Sequence, residues 1–400
     1  MSFEILETET NGTIIKVVGV GGAGGNAVEH MIRRGVQGVE FVCANTDHQA
    51  LARSSSQNIL QLGKSGLGAG SRPDAGRAAA EEARDRIADA LRGAHMVFIT
   101  AGMGGGTGTG AAPVFAEVAK ELGVLTVAVV SKPFEFEGPK RMKLAEEGLS
   151  ELEDNVHSLI VILNNKLEEV MGEDAEMAEC FRAADDVLHN ACAGIAEIIN
   201  VPGLVNVDFE DVKTVMTERG KAMMGTATAA GLDRARIAAE QAVASPLLEG
   251  VDLSGARGVL VNITASTSLK MKETREVMNT IRAFSAEDST VIFGTVCDEA
   301  MGDSLRVTVV ATGLGRASAR KVSTPFTVIR TGTDNGPVGI VPATPAPAPV
   351  SDFTNLDTPA IWRTRDTRDT RESVQARVSA MEDSGTERYD IPAFLRKQAD

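Results

Sequence analysis

Short apolar runs recur along the first half of the chain, each closed by glycine or polar residues. Ile14–Val20 is dominated by β-branched residues and runs into a glycine cluster, which predicts a buried strand. Gly24–Arg34 follows with helical spacing. Val39–Ala44, Met96–Ala101, Val124–Val130 and Leu159–Leu163 repeat the strand signature, and Asp74–Arg92 and Ala111–Leu122 read as helices between them. This alternation predicts an α/β fold: a Rossmann-like parallel sheet covered on both faces, with ligands at the carboxyl ends of its strands.

A longer pattern begins at Met177. Met177, Phe181, Ala184, Leu188, Ala191, Ile195 and Ile198 recur at three- and four-residue steps and end at Val201, Pro202 and Gly203. They predict a central helix, Met177–Asn200, roughly 36 Å long. By pattern alone, Phe181 belongs to its apolar stripe. Strands at Val259–Thr264, Val291–Val296 and Leu305–Ala311, with a helix at Lys272–Phe284, predict a C-terminal α+β domain. Beyond it, VPATPAPAPV at 341–350 and RTRDTRDTRE at 363–372 cannot bury a core and predict a disordered linker. The expected organisation is 1–176, a nucleotide-binding domain; 177–202, the central helix; 203–316, the α+β domain; 317–388, the linker; and 389–400, a terminal peptide. In that peptide Ile391, Phe394 and Leu395 return at helical spacing, as in a docking segment.

Charge narrows the function. The 400 residues carry 40 Lys and Arg against 55 Asp and Glu, a net charge of −15. Such a chain lacks the basic footprint of a nucleic-acid binder. The four cysteines (Cys43, Cys180, Cys192 and Cys297) form no C-x-x-C pair, so reduced thiols are expected. MSFEILETETNG does not read as a secretory signal, and no apolar run approaches the ~18 residues of a membrane span. A soluble cytoplasmic protein with no direct membrane insertion is expected. The five histidines show no metal-binding spacing and read as structural or exposed.

Candidate chemistry lies in the glycines. Gly19, Gly21 and Gly24 fit G-x-G-x-x-G between a strand and a helix, where free N–H groups and the helix dipole suit a phosphate. A dinucleotide fold is one reading, with Glu40 near the spacing of a ribose-binding acid. The segment Gly104-Gly105-Gly106-Thr107-Gly108-Thr109-Gly110, also between a strand and a helix, forms a second anion-binding loop. Two such loops on one sheet edge suit a polyphosphate better than a single pyrophosphate. Asn58 stands where a Walker A motif would need glycine, which disfavours a P-loop NTPase.

GGGTGTG at 104–110 resembles the signature loop of the tubulin/FtsZ family. GVGGAGGNAVEHM from Gly19, NTD from Asn45, GLGAGSRP from Gly66 and SKPFEFEGPKR from Ser131 extend the resemblance. FRAADDVL from Phe181, VPGLVNVDFEDV from Val201, LSGARGVLVNITAS from Leu253 and DIPAFLRKQAD from Asp390 complete it. It covers about residues 12–316 and the terminal peptide. The resemblance implies a GTPase that assembles head to tail into filaments of the bacterial division ring, in the cytoplasm beneath the inner membrane. GTP or GDP with Mg2+, and potassium as a further candidate, are the implied cofactors. Gly21, Gly22, Ala23, Gly24, Gly25 and Asn26 would meet phosphates and sugar. Gly104, Gly105, Gly106, Thr107, Gly108 and Thr109 would hold the β- and γ-phosphates. Gly70 and Ser71 would sit near the γ-phosphate, Asn45 and Asp47 near phosphates and the metal, and Glu137 and Arg141 at the ribose. Phe181 would stack on guanine and Asp185 would accept its hydrogen bonds. The family's acidic turn corresponds to Asn206, Asp208 and Asp211, which would orient water on a neighbour's nucleotide, although an acidic helix cap would leave the same residues. Membrane-tethering adaptors and division regulators are the expected partners of Asp390–Asp400. A nicotinamide oxidoreductase built on Gly19–Gly24 and a GTP binder without turnover remain as alternatives.

Overall fold

The computed structural model describes residues 12–314, except 173–174, 202, 219–220, 246–255 and 287–288. The linker, the terminal peptide, Trp362 and Tyr389 lie outside the described residues.

The apolar runs become strands because both faces of each are buried, as parallel sheets require. The strands are β1 (Ile15–Val20), β2 (Val39–Asn45), β3 (Asn58–Gln61), β4 (Met96–Gly102), β5 (Leu125–Lys132) and β6 (Ser158–Leu163), followed by β7 (Lys221–Ala230), β8 (Gly258–Ala265), β9 (Thr290–Cys297) and β10 (Ser304–Leu314). Among the described residues they form one ten-stranded sheet in the order β3-β2-β1-β4-β5-β6-β7-β10-β8-β9. Strands β3 to β7 are parallel; β10 runs antiparallel to both β7 and β8.

The order β3-β2-β1-β4-β5-β6 reverses its progression between β1 and β4. In doubly wound sheets that crevice, at the carboxyl ends, is where ligands bind. Both glycine clusters emerge there, after β1 and after β4.

Helices cover both faces. Helices α1 (Gly21–Arg33), α8 (Met177–Asn200) and α9 (Phe209–Met216) share one core with Val17, Phe98 and Val127 of the sheet. On the other face lie α3 (Pro73–Glu81), α4 (Arg84–Leu91), α5 (Thr107–Glu121) and α6 (Pro139–Asn155), around Val18, Ile99 and Val130. Short helices α2 (His48–Ala52) and α7 (Asn164–Met171) flank the carboxyl edge. Helices α10 (Arg234–Val243) and α11 (Met271–Phe284) pack a third core against β8 and β10.

Several elements differ from expectation. The single helix expected at Asp74–Arg92 is two, turning at Glu82 and Ala83, and Arg77 and Arg84 both reach Glu117 of α5 at 3.2 and 3.4 Å. Helices α1 and α5 begin at Gly21 and Thr107, earlier than their apolar patterns suggest. Glycine is a poor helix former, but here it lets two backbones meet where a side chain would not fit.

Candidate functional site

Two helix N-termini stand side by side at the β1/β4 crevice. Neither α1 nor α5 has a side-chain cap, and neither carries an acidic residue in its first turn. Their free N–H groups and dipoles are left for an anion. By contrast, α2 and α9 are capped by Asp47 and Asp208.

The loops fit together through missing side chains. Gly21 has φ +76°, and a methyl group there would lie 2.9 Å from the Gly108 nitrogen. One at Gly106 would lie 2.8 Å from the Ala69 Cβ, so the Gly66–Ser71 turn packs on the second glycine loop. In that turn Ser71 takes φ +56°, the one non-glycine in the left-handed region among the described residues. Strain of this kind persists where surrounding structure enforces it.

The second glycine loop is tied from within. Thr109 is buried, and its hydroxyl accepts the Gly104 N–H at 2.8 Å. Thr109 therefore fastens the loop. Thr107 stays half-buried at the surface of the crevice. Asn45 is buried and accepts the Asp47 N–H at 3.2 Å. One Asp47 oxygen accepts from Gln49 N at 2.8 Å. Beside the first glycine turn lies a pocket of about 150 Å³, whose lining includes Gly22, Asn26, Glu29, Asn45 and Arg53.

Glu137 and Arg141 form an ion pair of 3.0 Å, and Glu137 also accepts the Phe134 N–H at 2.8 Å. The Arg141 backbone packs against Gly104. Phe181 is not the core residue its stripe implied: it is 44 % exposed and meets buried Phe134 edge-on at 5.4 Å. A half-exposed aromatic face beside an anion cradle suits a flat base. One turn along, burial chiefly raises the Asp185 carboxyl to about 6; Asp186 reinforces the shift, and His30 and Arg33 oppose it.

Asn206, Asp208 and Asp211 are exposed at the opposite edge. The end of α8 is fixed there by Asn200 Nδ2, which donates to Thr13 O at 3.1 Å and Gly38 O at 2.6 Å, at the starts of β1 and β2. Phe209 meets His95, just before β4, at 6.1 Å. The second glycine loop leaves the other end of β4, whose seven residues span roughly 20 Å or more. Asp208 Oδ1 caps α9 through the Asp211 N–H at 2.8 Å, and Asn206 Oδ1 accepts the Gly203 N–H at 2.8 Å. Asp208 is therefore a helix cap in this structure.

The donor set at the crevice suits a metal carried on phosphate. Among the described residues no three His, Cys, Asp or Glu side chains gather to hold an ion. Magnesium on a nucleotide needs one or two carboxylates, its other ligands being phosphate and water, and Asp47 would be the carboxylate to offer.

Residues 14–172 match the family model of the tubulin/FtsZ GTPase domain, and 220–315 match the FtsZ C-terminal domain. The chain belongs to the tubulin/FtsZ family. It is 53 % identical over 398 residues to the cell division protein FtsZ of Coxiella burnetii, covering 99 % of each chain. It is 51 % identical to that of Pseudomonas aeruginosa, covering all of both. A solved empty FtsZ dimer from M. jannaschii superposes with a TM-score of 0.73 at 42 % identity, over 78 % of this chain and 90 % of that one.

Within this tubulin/FtsZ chain the nicotinamide alternative loses its acid. Glu40 is the second residue of β2, at the strand end away from the crevice, and pairs with Lys16 at 3.5 Å. Sequence reading missed Asn164, which opens α7 at the carboxyl end of β6. It is buried and its side-chain oxygen has no partner. Only the doubled asparagine after the strand hinted at it. No helix among the described residues is long and apolar enough to cross a membrane.

Proposed function

We propose that this chain binds GTP at the β1/β4 crevice and hydrolyses it within head-to-tail filaments serving cell division. The supporting observation is the pairing of two uncapped helix N-termini on one sheet edge with an exposed acidic turn on the opposite edge. The first turn of α1, Gly21–Asn26, cradles phosphate and sugar. Gly104–Gly108 and the turn with Gly70 and Ser71 close around the β- and γ-phosphates. Glu137 and Arg141 bind the ribose, Phe181 stacks on guanine and Asp185 accepts its N–H donors. Magnesium, held on the phosphates with Asp47 as its protein ligand, would neutralise charge on the transferring group.

The two glycine loops, 19–26 and 104–110, offer donors but carry no Asp, Glu, His or Lys. Positioning a water and stabilising charge is most of what phosphoryl transfer asks of a protein. Asp208 and Asp211, with Asn206 beside them, do this for the nucleotide of the adjacent copy. Within one molecule they lie a domain's width from the crevice. A contact between unlike faces that does not close into a ring yields a filament. Asp390–Asp400 serves as the docking peptide for membrane adaptors and regulators, which brings the filament to the cytoplasmic division site.

The test is phosphate release per molecule against protein concentration, with sedimentation of the same samples in GTP and GDP. Release should begin cooperatively as pellets form in GTP. Dilute monomers that hydrolyse as fast per molecule as assembled protein would refute catalysis between copies.

A further inference from the structure

We propose that Thr46 is a positioning residue for the terminal phosphate, acting through the hydroxyl of Thr107. The proposal rests on the reading of Thr107 as a phosphate contact. Thr46 follows β2 directly and is 4 % exposed. Its Oγ1 lies 2.6 Å from Thr107 Oγ1 at the start of α5. Its carbonyl accepts the Gly68 N–H at 3.1 Å, while His48 N donates to Gly66 O at 3.0 Å. One buried residue thereby joins the second glycine loop by its side chain and the Gly66–Ser71 turn by its backbone.

The hydroxyl pair has a direction that an anion would choose. Each hydroxyl has a single proton to donate and lone pairs to accept with. Without a ligand, either oxygen can donate to the other. When Thr107 donates to a phosphate oxygen, its lone pair must accept from Thr46. Thr46 then fixes the Thr107 rotamer and polarises its O–H toward the phosphate. Among the described residues no other partner of the Thr46 hydroxyl competes for that proton. Of the β- and γ-phosphates that the second glycine loop surrounds, Thr107 is assigned the γ-phosphate, so the effect favours a triphosphate over a diphosphate.

The experiment measures GTP and GDP affinity of the full chain below its assembly concentration, and kcat and KM for phosphate release above it. The variants are Thr46→Val, Thr46→Ser, Thr107→Val and the Thr46→Val/Thr107→Val double variant, each checked by thermal melting. Thr46→Val keeps the shape and removes the hydroxyl. It should weaken GTP about fivefold, raise KM, and leave GDP within about twofold. Thr46→Ser should restore wild-type GTP affinity, which a packing role would not. The double variant should match Thr107→Val alone, because Thr46 acts only through Thr107. Should Thr46→Val fail to fold, Thr46→Cys, with its weak donor, replaces it with a smaller loss expected. Additive losses in the double variant, or equal losses of GTP and GDP, overturn the proposal. A Thr46→Val variant that binds GTP normally while Thr107→Val does not overturns it and spares the phosphate reading. Normal GTP binding in Thr107→Val removes both.

Discussion

The two edges of the parallel sheet are built by opposite means. At the carboxyl ends of β1 and β4 the chain offers backbone: two helix starts without caps, glycines in contact, and few charged side chains. At the other edge it offers side chains: Asn206, Asp208 and Asp211, exposed around the start of a capped helix. A backbone cradle is built within one molecule, whereas the acidic turn, apart from its helix-capping bond, faces outward. On the proposed reading, binding and turnover belong to separate surfaces, and substitutions should separate them.

The sharpest break would come at the acidic turn. Asp208→Asn keeps a good helix cap and removes the charge. Combined with Asp211→Asn it should slow phosphate release from assembled protein about 10³-fold, about 4 kcal/mol on the barrier. GTP affinity should stay within about threefold on the separate-surface reading. Asp208→Ala should slow release and also cost about 1 kcal/mol of stability through the lost cap, read as a lower melting temperature. A parallel fall in affinity and turnover in the Asn variants would erase the division between the edges.

The glycine edge should divide within itself. A methyl group at Gly24 would lie 2.3 Å from Thr100 O, whereas one at Gly22 meets nothing within 4 Å. Gly24→Ala should therefore destabilise the fold by about 3 kcal/mol, a melting shift of roughly 6–12 °C. Gly22→Ala should melt like wild type and lose about tenfold in nucleotide affinity, because its methyl occupies the cradle. If both variants melt normally, the glycines are not packing one backbone on another.

The same contrast explains what could be read in the sequence. Parallel strands were legible because burial on both faces leaves unbroken apolar runs. Helix starts were not: Gly21 and Thr107–Gly110 are helical through contacts with distant backbone, which no local pattern encodes. Strand β7, KAMMGTATAA, alternates small residues and escaped notice, and α6 is too polar to show a strong stripe. The glycine clusters point to an anion site because so many glycines lack a packing reason on the chain alone. Glu40 misled because spacing counts residues without showing which end of a strand they occupy. Asp208 was open to two readings, and its capping bond is a matter of geometry that spacing only permits.

Smaller effects sharpen the base-binding end of the crevice. Phe181→Ala removes a ring that is 44 % exposed and held edge-on by Phe134. Stacking of a base on an aromatic ring is worth about 1–3 kcal/mol, so GTP and GDP affinity should both fall about tenfold. Melting of the free protein should move by no more than a few degrees, since the lost ring contact is worth about 1 kcal/mol. A large stability loss with unchanged affinity would return Phe181 to the core.

The smallest effect concerns the proton on Asp185. Its carboxyl titrates at about 6 in the fold against 3.8 ordinarily, chiefly because burial disfavours the charge. A folded value above the unfolded one means the contribution to stability is full below 3.8 and is lost as pH rises through about 6. Asp185→Asn, neutral throughout, should therefore match wild type in acid and melt a few degrees higher at pH ~8. The expected gain is about 1 kcal/mol, reduced because the site is partly open to water. Guanine N–H donors need the ionised form, so wild-type GTP affinity should rise about fourfold from pH ~5.5 to ~7.5 and then level. In Asp185→Asn that rise should disappear. A slope that survives the substitution assigns the proton to another group and detaches Asp185 from the base.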